Sequence, residues 1–206
     1  MDKYLQSVKK DFWARVFEAE LEFILDELKG VRDILSVGCG PAVIEAGLAE
    51  RGFNVTGLDI SEVALGEAQK GIRTVVGSAE SMDFADSSFD AVIYVVSLQF
   101  IEGYEKALSQ TARVLRDDGR VLVLLLNPKS EFFKAKFANP DSYVRRIRHT
   151  EVDEIEKTIG KYFCVEQTKY FLGIRDGNIF RSRDPDAASL YVIRARRQRR
   201  NKGGLN

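Results

Sequence analysis

Ile34-Leu35-Ser36-Val37-Gly38-Cys39-Gly40-Pro41-Ala42 decides how this chain is read. Its opening is an apolar run suited to a buried strand. Two glycines follow, and a helical pattern begins at once. Glycine lacks Cβ, so the chain can turn sharply there and its backbone can approach a ligand. A second apolar run, Phe53-Asn54-Val55-Thr56-Gly57-Leu58, is closed by Asp59. An acid about 20 residues beyond a glycine loop suits both hydroxyls of a ribose. The pair predicts a nucleoside-binding crevice at the carboxyl ends of two parallel strands.

The same alternation continues outward from this unit. The patterns predict strands near 32–37, 53–58, 72–76, 89–96 and 120–126, and helices near 42–51, 61–70 and 103–115. Apolar strands alternating with helices imply a parallel sheet covered on both faces. Before the glycine loop, Leu5, Val8, Phe12, Val16, Phe17, Leu21, Ile24, Leu25 and Leu28 follow helical spacing, and Gly30 ends that helix. After Asn127-Pro128, residues 129–150 mix aromatic and basic side chains. A helix near 151–160 and two strands near 162–171 and 188–195 complete the pattern. Asp176-Gly177 and Asp184-Pro185 punctuate the connection between those strands, which makes them antiparallel. The expected organisation is an N-terminal helix or lid over 1–30 and one domain over 31–196. A substrate-side insertion lies within it at 129–150, and a basic tail follows over 197–206.

The bulk chemistry narrows the partners. The 31 basic and 31 acidic side chains cancel, so no global field draws the protein to nucleic acid or an acidic membrane. No apolar run is long enough to span a bilayer. The two cysteines, Cys39 and Cys164, do not suggest a disulfide framework and fit a reducing cytoplasm. The loop itself argues against two common nucleotide folds. A dinucleotide fingerprint needs a third glycine where Val43 stands, and no Walker lysine follows. Pro41 suits the first turn of the next helix.

Four blocks in this order resemble the class I S-adenosylmethionine-dependent methyltransferases, notably the small-molecule group of ubiquinone and menaquinone biosynthesis. The blocks are residues 34–42; Val55-Thr56-Gly57-Leu58-Asp59-Ile60-Ser61; residues 77–84 with Ser87-Ser88-Phe89-Asp90-Ala91-Val92; and residues 113–122. The resemblance implies a Rossmann-like, doubly wound, seven-stranded α/β sheet. That sheet is mostly parallel with one antiparallel edge strand, and helices cover both faces. It also implies S-adenosylmethionine as cofactor, a small-molecule methyl acceptor and no metal. By resemblance, the backbone of Gly38, Cys39 and Gly40 approaches the methionine part and Asp59 accepts from the ribose. Ile60 packs on the adenine, while Ser78, Ala79 and Glu80 border its edge. Ser97 and Leu98 lie beside the sulfonium.

Two departures stand out. The family usually carries an acid where Ser36 stands and often an aspartate where Ser78 stands; serine brings no charge, and charge-assisted hydrogen bonds are about twice as strong as neutral ones. Glu45 or Glu80 is a candidate replacement. On the acceptor side the candidates are Trp13, Gln99, Arg145 and Arg146, with His149, the single histidine, and Gln99 as candidate catalytic groups. Asp90 is read as structural and Cys39 as a small buried filler. Two alternatives stay open: an RNA methyltransferase using the basic tail, and a non-catalytic module that holds S-adenosylmethionine or S-adenosylhomocysteine. The element that marks methylation of base amino groups is absent, because Ser97-Leu98-Gln99-Phe100 follows the fourth strand.

Overall fold

The computed structural model describes residues 11–68 and 71–197. The expected strands form, as β1 (Asp33–Val37), β2 (Asn54–Asp59), β3 (Arg73–Val76), β4 (Phe89–Val95), β5 (Leu115–Leu126), β6 (Cys164–Arg175) and β8 (Ala188–Arg196), with β7 (Asn178–Phe180) in addition. The helices are α1 (Asp11–Glu27), α2 (Val43–Glu50), α3 (Glu62–Leu65), α4 (Tyr104–Val114), α5 (Glu131–Ala138) and α6 (Val152–Tyr162). One sheet carries the strands in the order β3-β2-β1-β4-β5-β8-β6-β7. The first five are parallel. Strand β8 runs antiparallel to both β5 and β6, as expected for the last two long strands. The count is eight rather than seven. The extra strand is the edge strand β7, which pairs antiparallel with β6 across Asp176-Gly177. Both of those residues have positive φ, 50° and 74°, which is the backbone a two-residue hairpin requires.

Alternation along the central strands splits the core in two. Ala91 and Ile93 of β4, with Leu122, Leu124 and Leu126 of β5, join Val16, Leu21 and Ile24 of α1 and Ile44 and Leu48 of α2. Val92, Tyr94, Val121, Val123 and Leu125 point the other way, to Leu108 of α4 and to Ile155 and Ile159 of α6. Period-2 side chains on strands buried on both faces produce this division. Residues 129–150 resolve into α5 and a 3-10 turn at Tyr143–Arg146 on the α1 side. Asp90 is structural: its Oδ2 accepts from the Arg32 and Asp33 amides, and its Oδ1 from Arg116. The basic tail at 198–206 and the first ten residues lie outside the described residues. Among the described residues, no helix is long and apolar enough to cross a membrane.

Candidate active site

The strand order reverses at β1, whose neighbours are β2 and β4, and open α/β sheets bind ligands at such a point. A cavity of about 610 Å³ opens at these carboxyl ends. Gly38, Cys39, Gly40, Asp59, Ile60, Ser78, Ala79, Glu80 and Ser97 all line it.

The glycine loop is shaped by close approach. Gly38 has φ +73°, and a Cβ on it would stand 2.5 Å from the Ser97 Cβ. Ser97 Oγ donates to the Val37 carbonyl at 2.5 Å, tying the end of β4 to the end of β1. Val96 adopts φ 51°, a strained value for a β-branched residue, on the cavity wall. The Asp59 carboxylate holds the loop from the other side. Its Oδ2 accepts from the Gly40 amide at 2.8 Å and its Oδ1 from the Ser61 amide at 2.8 Å. A carboxylate offers about four lone-pair sites. Two remain for hydroxyls in the cavity. Ser61 in turn caps α3 by accepting from the Ala64 amide. Ile60 is 77% exposed at the rim, an apolar face beside a carboxylate. Ser78 Oγ accepts from the Glu80 amide, and Glu80 Oε1 accepts from the Gly103 amide at 3.1 Å, so these two residues brace the loop after β3.

The acid absent from Ser36 stands one element away. Ser36 Oγ donates to Glu45 Oε1 at 2.5 Å, and both residues are buried. Burial pushes the Glu45 carboxyl up to about 7, aided by the charge of Asp59 and opposed by the Ser36 hydrogen bond. Glu45 lines the cavity. Burial also pushes the Cys39 thiol up, aided by the charges of Glu45 and Asp59, so Cys39 is no thiolate nucleophile.

Trp13, Phe17, Phe100, Phe132 and Tyr143 make one part of the cavity wall aromatic, here called the aromatic lobe. Trp13 stacks on Phe17 with centroids 6.1 Å apart and meets Phe132 and Tyr143 edge-on. Phe100 stacks on Tyr143. Arg146 and Arg148 also line this lobe. Glu20, 4% exposed, lines the same cavity from α1 and is a lining residue that sequence reasoning missed. Its signal was there: a glutamate standing in the apolar stripe of a helix.

Four expected residues sit elsewhere. Leu98 is buried in the core on the α4 and α6 side and does not line the cavity. Gln99 is fully buried, and its amide is consumed: Nε2 donates to the Leu126 and His149 carbonyls, and Oε1 accepts from the Leu126 amide. His149 packs edge-on against Tyr104, and its Nε2 lies 3.0 Å and 3.2 Å from the carbonyls of Ile101 and Glu102. Both partners are acceptors, so this nitrogen donates and holds a loop. Arg145 lies over the Phe137 ring, outside the cavity lining. Gln99 and His149 were attractive by residue type, but each spends its polar atoms on backbone.

Comparison with known proteins agrees with this geometry. A methyltransferase domain family model matches residues 35–123. A ubiquinone biosynthesis O-methyltransferase of Dechloromonas aromatica is 29% identical over 168 residues, covering 68% of this chain and 72% of the relative. A demethylmenaquinone methyltransferase of Corynebacterium glutamicum is 33% identical over 98 residues, covering 47% of this chain and 43% of the relative. The fold matches that of a SAM-dependent methyltransferase, possible histamine N-methyltransferase, from Thermotoga maritima. The TM-score is 0.76 at 20% identity, over 96% of this chain and 98% of that one. A SAM-dependent methyltransferase of Archaeoglobus fulgidus matches with TM-score 0.77 at 15% identity, over 95% and 100%. With its glycine loop, the Asp59 carboxylate and the matched stretch at residues 35–123, this chain carries a methyltransferase domain of the class I S-adenosylmethionine-dependent type.

Proposed function

We propose that the protein transfers the methyl group of S-adenosylmethionine to a small molecule held in the aromatic lobe. The observation that carries this is the Asp59 carboxylate, fixed by the Gly40 and Ser61 amides on the wall of a cavity that aromatic rings also line. The residues present fit the cofactor. Asp59 has acceptor capacity for the ribose, and exposed Ile60 offers an apolar face to the adenine. Ser78 and Ala79 border its edge, and the Gly38–Gly40 backbone admits close approach. Glu45, behind Ser36, supplies negative charge on the wall nearest the methionyl end. The bound sulfonium supplies an electrophilic methyl; the chain's own part is to align an acceptor with it and exclude water. Alignment of two bound reactants removes a large entropic barrier.

The reading of a non-catalytic module rested on charge missing at Ser36 and Ser78, and Glu45 places a carboxyl beside the first of them. The RNA reading rested on a basic cluster from Arg194; Arg194 and Arg196 pair with Glu27 and Glu166, Arg197 is buried, and the rest lies outside the described residues. Calorimetric titration with S-adenosylhomocysteine tests the proposal. Asp59→Asn keeps the shape but removes the charge, and is expected to weaken binding by about tenfold to a hundredfold, the worth of hydrogen bonds to a charged group. Unchanged affinity would overturn the assignment. A methyl-transfer assay on fractionated small metabolites then finds the acceptor.

A further inference from the structure

Glu20 is an ionisable group of the cavity that the cofactor reading leaves without a task. Trp13, Phe17 and Glu20 follow one another at i, i+4 and i+7 on α1, so they share a face, and all three line the cavity. Glu20 is 4% exposed, and among the described residues no group donates a hydrogen bond to it. A buried carboxyl without a donor is costly, and a leucine there would have completed the stripe of Val16, Leu21 and Ile24.

The surroundings indicate what would partner it. Ring faces and a carboxylate together complement an ammonium ion, through cation–π attraction and a charge-assisted hydrogen bond. The rings of this lobe already take a cation on one side: Lys136 Nζ lies 5.7 Å from the Trp13 centroid and 5.6 Å from that of Phe132. The lobe's own cations have other engagements. Arg148 lies 3.5 Å from Glu102, and Arg146 is engaged with a neighbour. Besides Glu20, the acids lining the cavity are Glu45 on α2, Asp59, Glu80 and Glu102, and Glu45 is the one whose charge reaches Glu20.

We propose that Glu20 receives the methyl acceptor, and that the acceptor is a small amine with an apolar, ring-sized body that enters as its ammonium ion. This rests on the S-adenosylmethionine reading of the adjoining lobe. Burial, and secondarily the charge of Glu45, pushes the Glu20 carboxyl up to about 8, so the free protein holds it protonated at neutral pH. Docking of the ammonium releases that proton to solvent. Glu20 then takes one proton from the ammonium, leaving a neutral amine and a carboxylic acid. The nitrogen lone pair forms the C–N bond as the C–S bond breaks, and the electron pair of that bond stays on sulfur. The product leaves as a methylated ammonium, and Glu20 is back in its resting, protonated form. Over the whole cycle one proton goes to solvent.

The test uses the full chain saturated with S-adenosylhomocysteine at pH 7, with benzylamine and its uncharged counterpart benzyl alcohol as calorimetric probes. Wild type should bind benzylamine about tenfold more tightly than benzyl alcohol. Its heat should vary between phosphate and Tris buffers as release of one proton requires. In Glu20→Gln both the preference and the buffer dependence should vanish. Equal binding of the two probes to wild type, binding of neither, a buffer-independent heat, or an unaltered Glu20→Gln overturns the proposal. Should that variant not fold, the buffer dependence of the wild-type heat decides alone. Failure of S-adenosylhomocysteine to bind wild type would strike the cofactor reading instead.

Discussion

Replacing Glu20 with glutamine should invert the usual expectation that a charged-to-neutral change inside a protein is silent or harmful. The folded protein lifts this carboxyl from 4.5 to about 8, chiefly by burial and then by the charge of Glu45. Between those values the unfolded chain holds a carboxylate and the folded chain holds the acid, so folding takes up a proton. The stability contribution is therefore complete below 4.5 and is lost as pH rises through about 8, at about 1.4 kcal/mol per pH unit. The full span amounts to about 5 kcal/mol. Glutamine has nearly the same volume and no proton to lose, so its stability does not follow this course. Glu45, lifted to about 7, adds a fall of the same sign, but it is common to both proteins and cancels in the difference. The variant should lie within about 1 kcal/mol of wild type near pH 5 and exceed it by several kcal/mol near pH 9. For a chain of this length each kcal/mol moves the midpoint by about 2–4 °C. Thermal unfolding followed by circular dichroism across that range should show the two midpoints diverging with pH. Midpoints that stay parallel would refute the burial argument, and a wild type that gains on the variant at high pH would reverse its sign.

Other consequences follow from the same contacts. Gly38→Ala places a Cβ 2.5 Å from that of Ser97 at a φ of +73°; left-handed strain plus overpacking should cost about 2–4 kcal/mol in denaturant unfolding and abolish S-adenosylhomocysteine binding. Gln99→Ala strands the Leu126 amide and two carbonyls in the interior, so it should cost about 2–4 kcal/mol of stability while the folded fraction keeps its nucleoside affinity. His149→Ala loosens the loop at residues 101–102 by about 1 kcal/mol, and the pH profile of methyl transfer should keep its shape, because this ring serves two carbonyls and not the acceptor.

What was legible in the sequence is what the backbone alone enforces. The glycine loop, Asp59 and the apolar strands are recognisable because a sharp turn between a buried strand and a helix permits few residues. The hairpin of β7 was written in Asp176-Gly177, a pair suited to two consecutive positive φ angles, yet with only three residues its second strand carries too short a pattern to read. Strand β5 begins at Leu115, earlier than its apolar run suggests. Leu115 pairs with Phe89, the register then shifts, and Asp118 takes φ 60° in a stretch that reads as a turn. Helix α3 is a single described turn, Glu62–Leu65, where the pattern allowed a longer one. The acceptor side was opaque for a different reason. Whether Glu20 faces water or a cavity depends on the cover supplied by α2 and by residues 131–148, which no local pattern encodes. Residue type likewise favoured His149 and Gln99 as chemical groups, and only tertiary placement shows their polar atoms already committed.

The exchange at Ser36 shows how the unit of meaning can exceed a motif. Side chains alternate along β1: Ile34 points into the core shared with α1 and α2, while Leu35 and Val37 point to the opposite one. Ser36 has the parity of Ile34 and therefore meets α2, where Glu45 occupies the first turn. A carboxylate at a helix N-terminus is favoured by the helix dipole, and here it also accepts from the serine hydroxyl. Burial lifts the Glu45 carboxyl to about 7, and the hydrogen bonds from Ser36 and from its own backbone amide act against that rise. A position-by-position comparison scores the serine as lost charge. In three dimensions the charge has crossed the strand–loop–helix turn to the far side of the same wall. The move changes its character: a strand-end acid open to water stays ionised, whereas this one titrates near neutrality. On the proposed function, attraction for the cofactor's ammonium then strengthens as pH rises through about 7, at the upper end of the interval over which the two buried acids weaken the fold. Binding and stability are set against each other by two glutamates on one cavity wall.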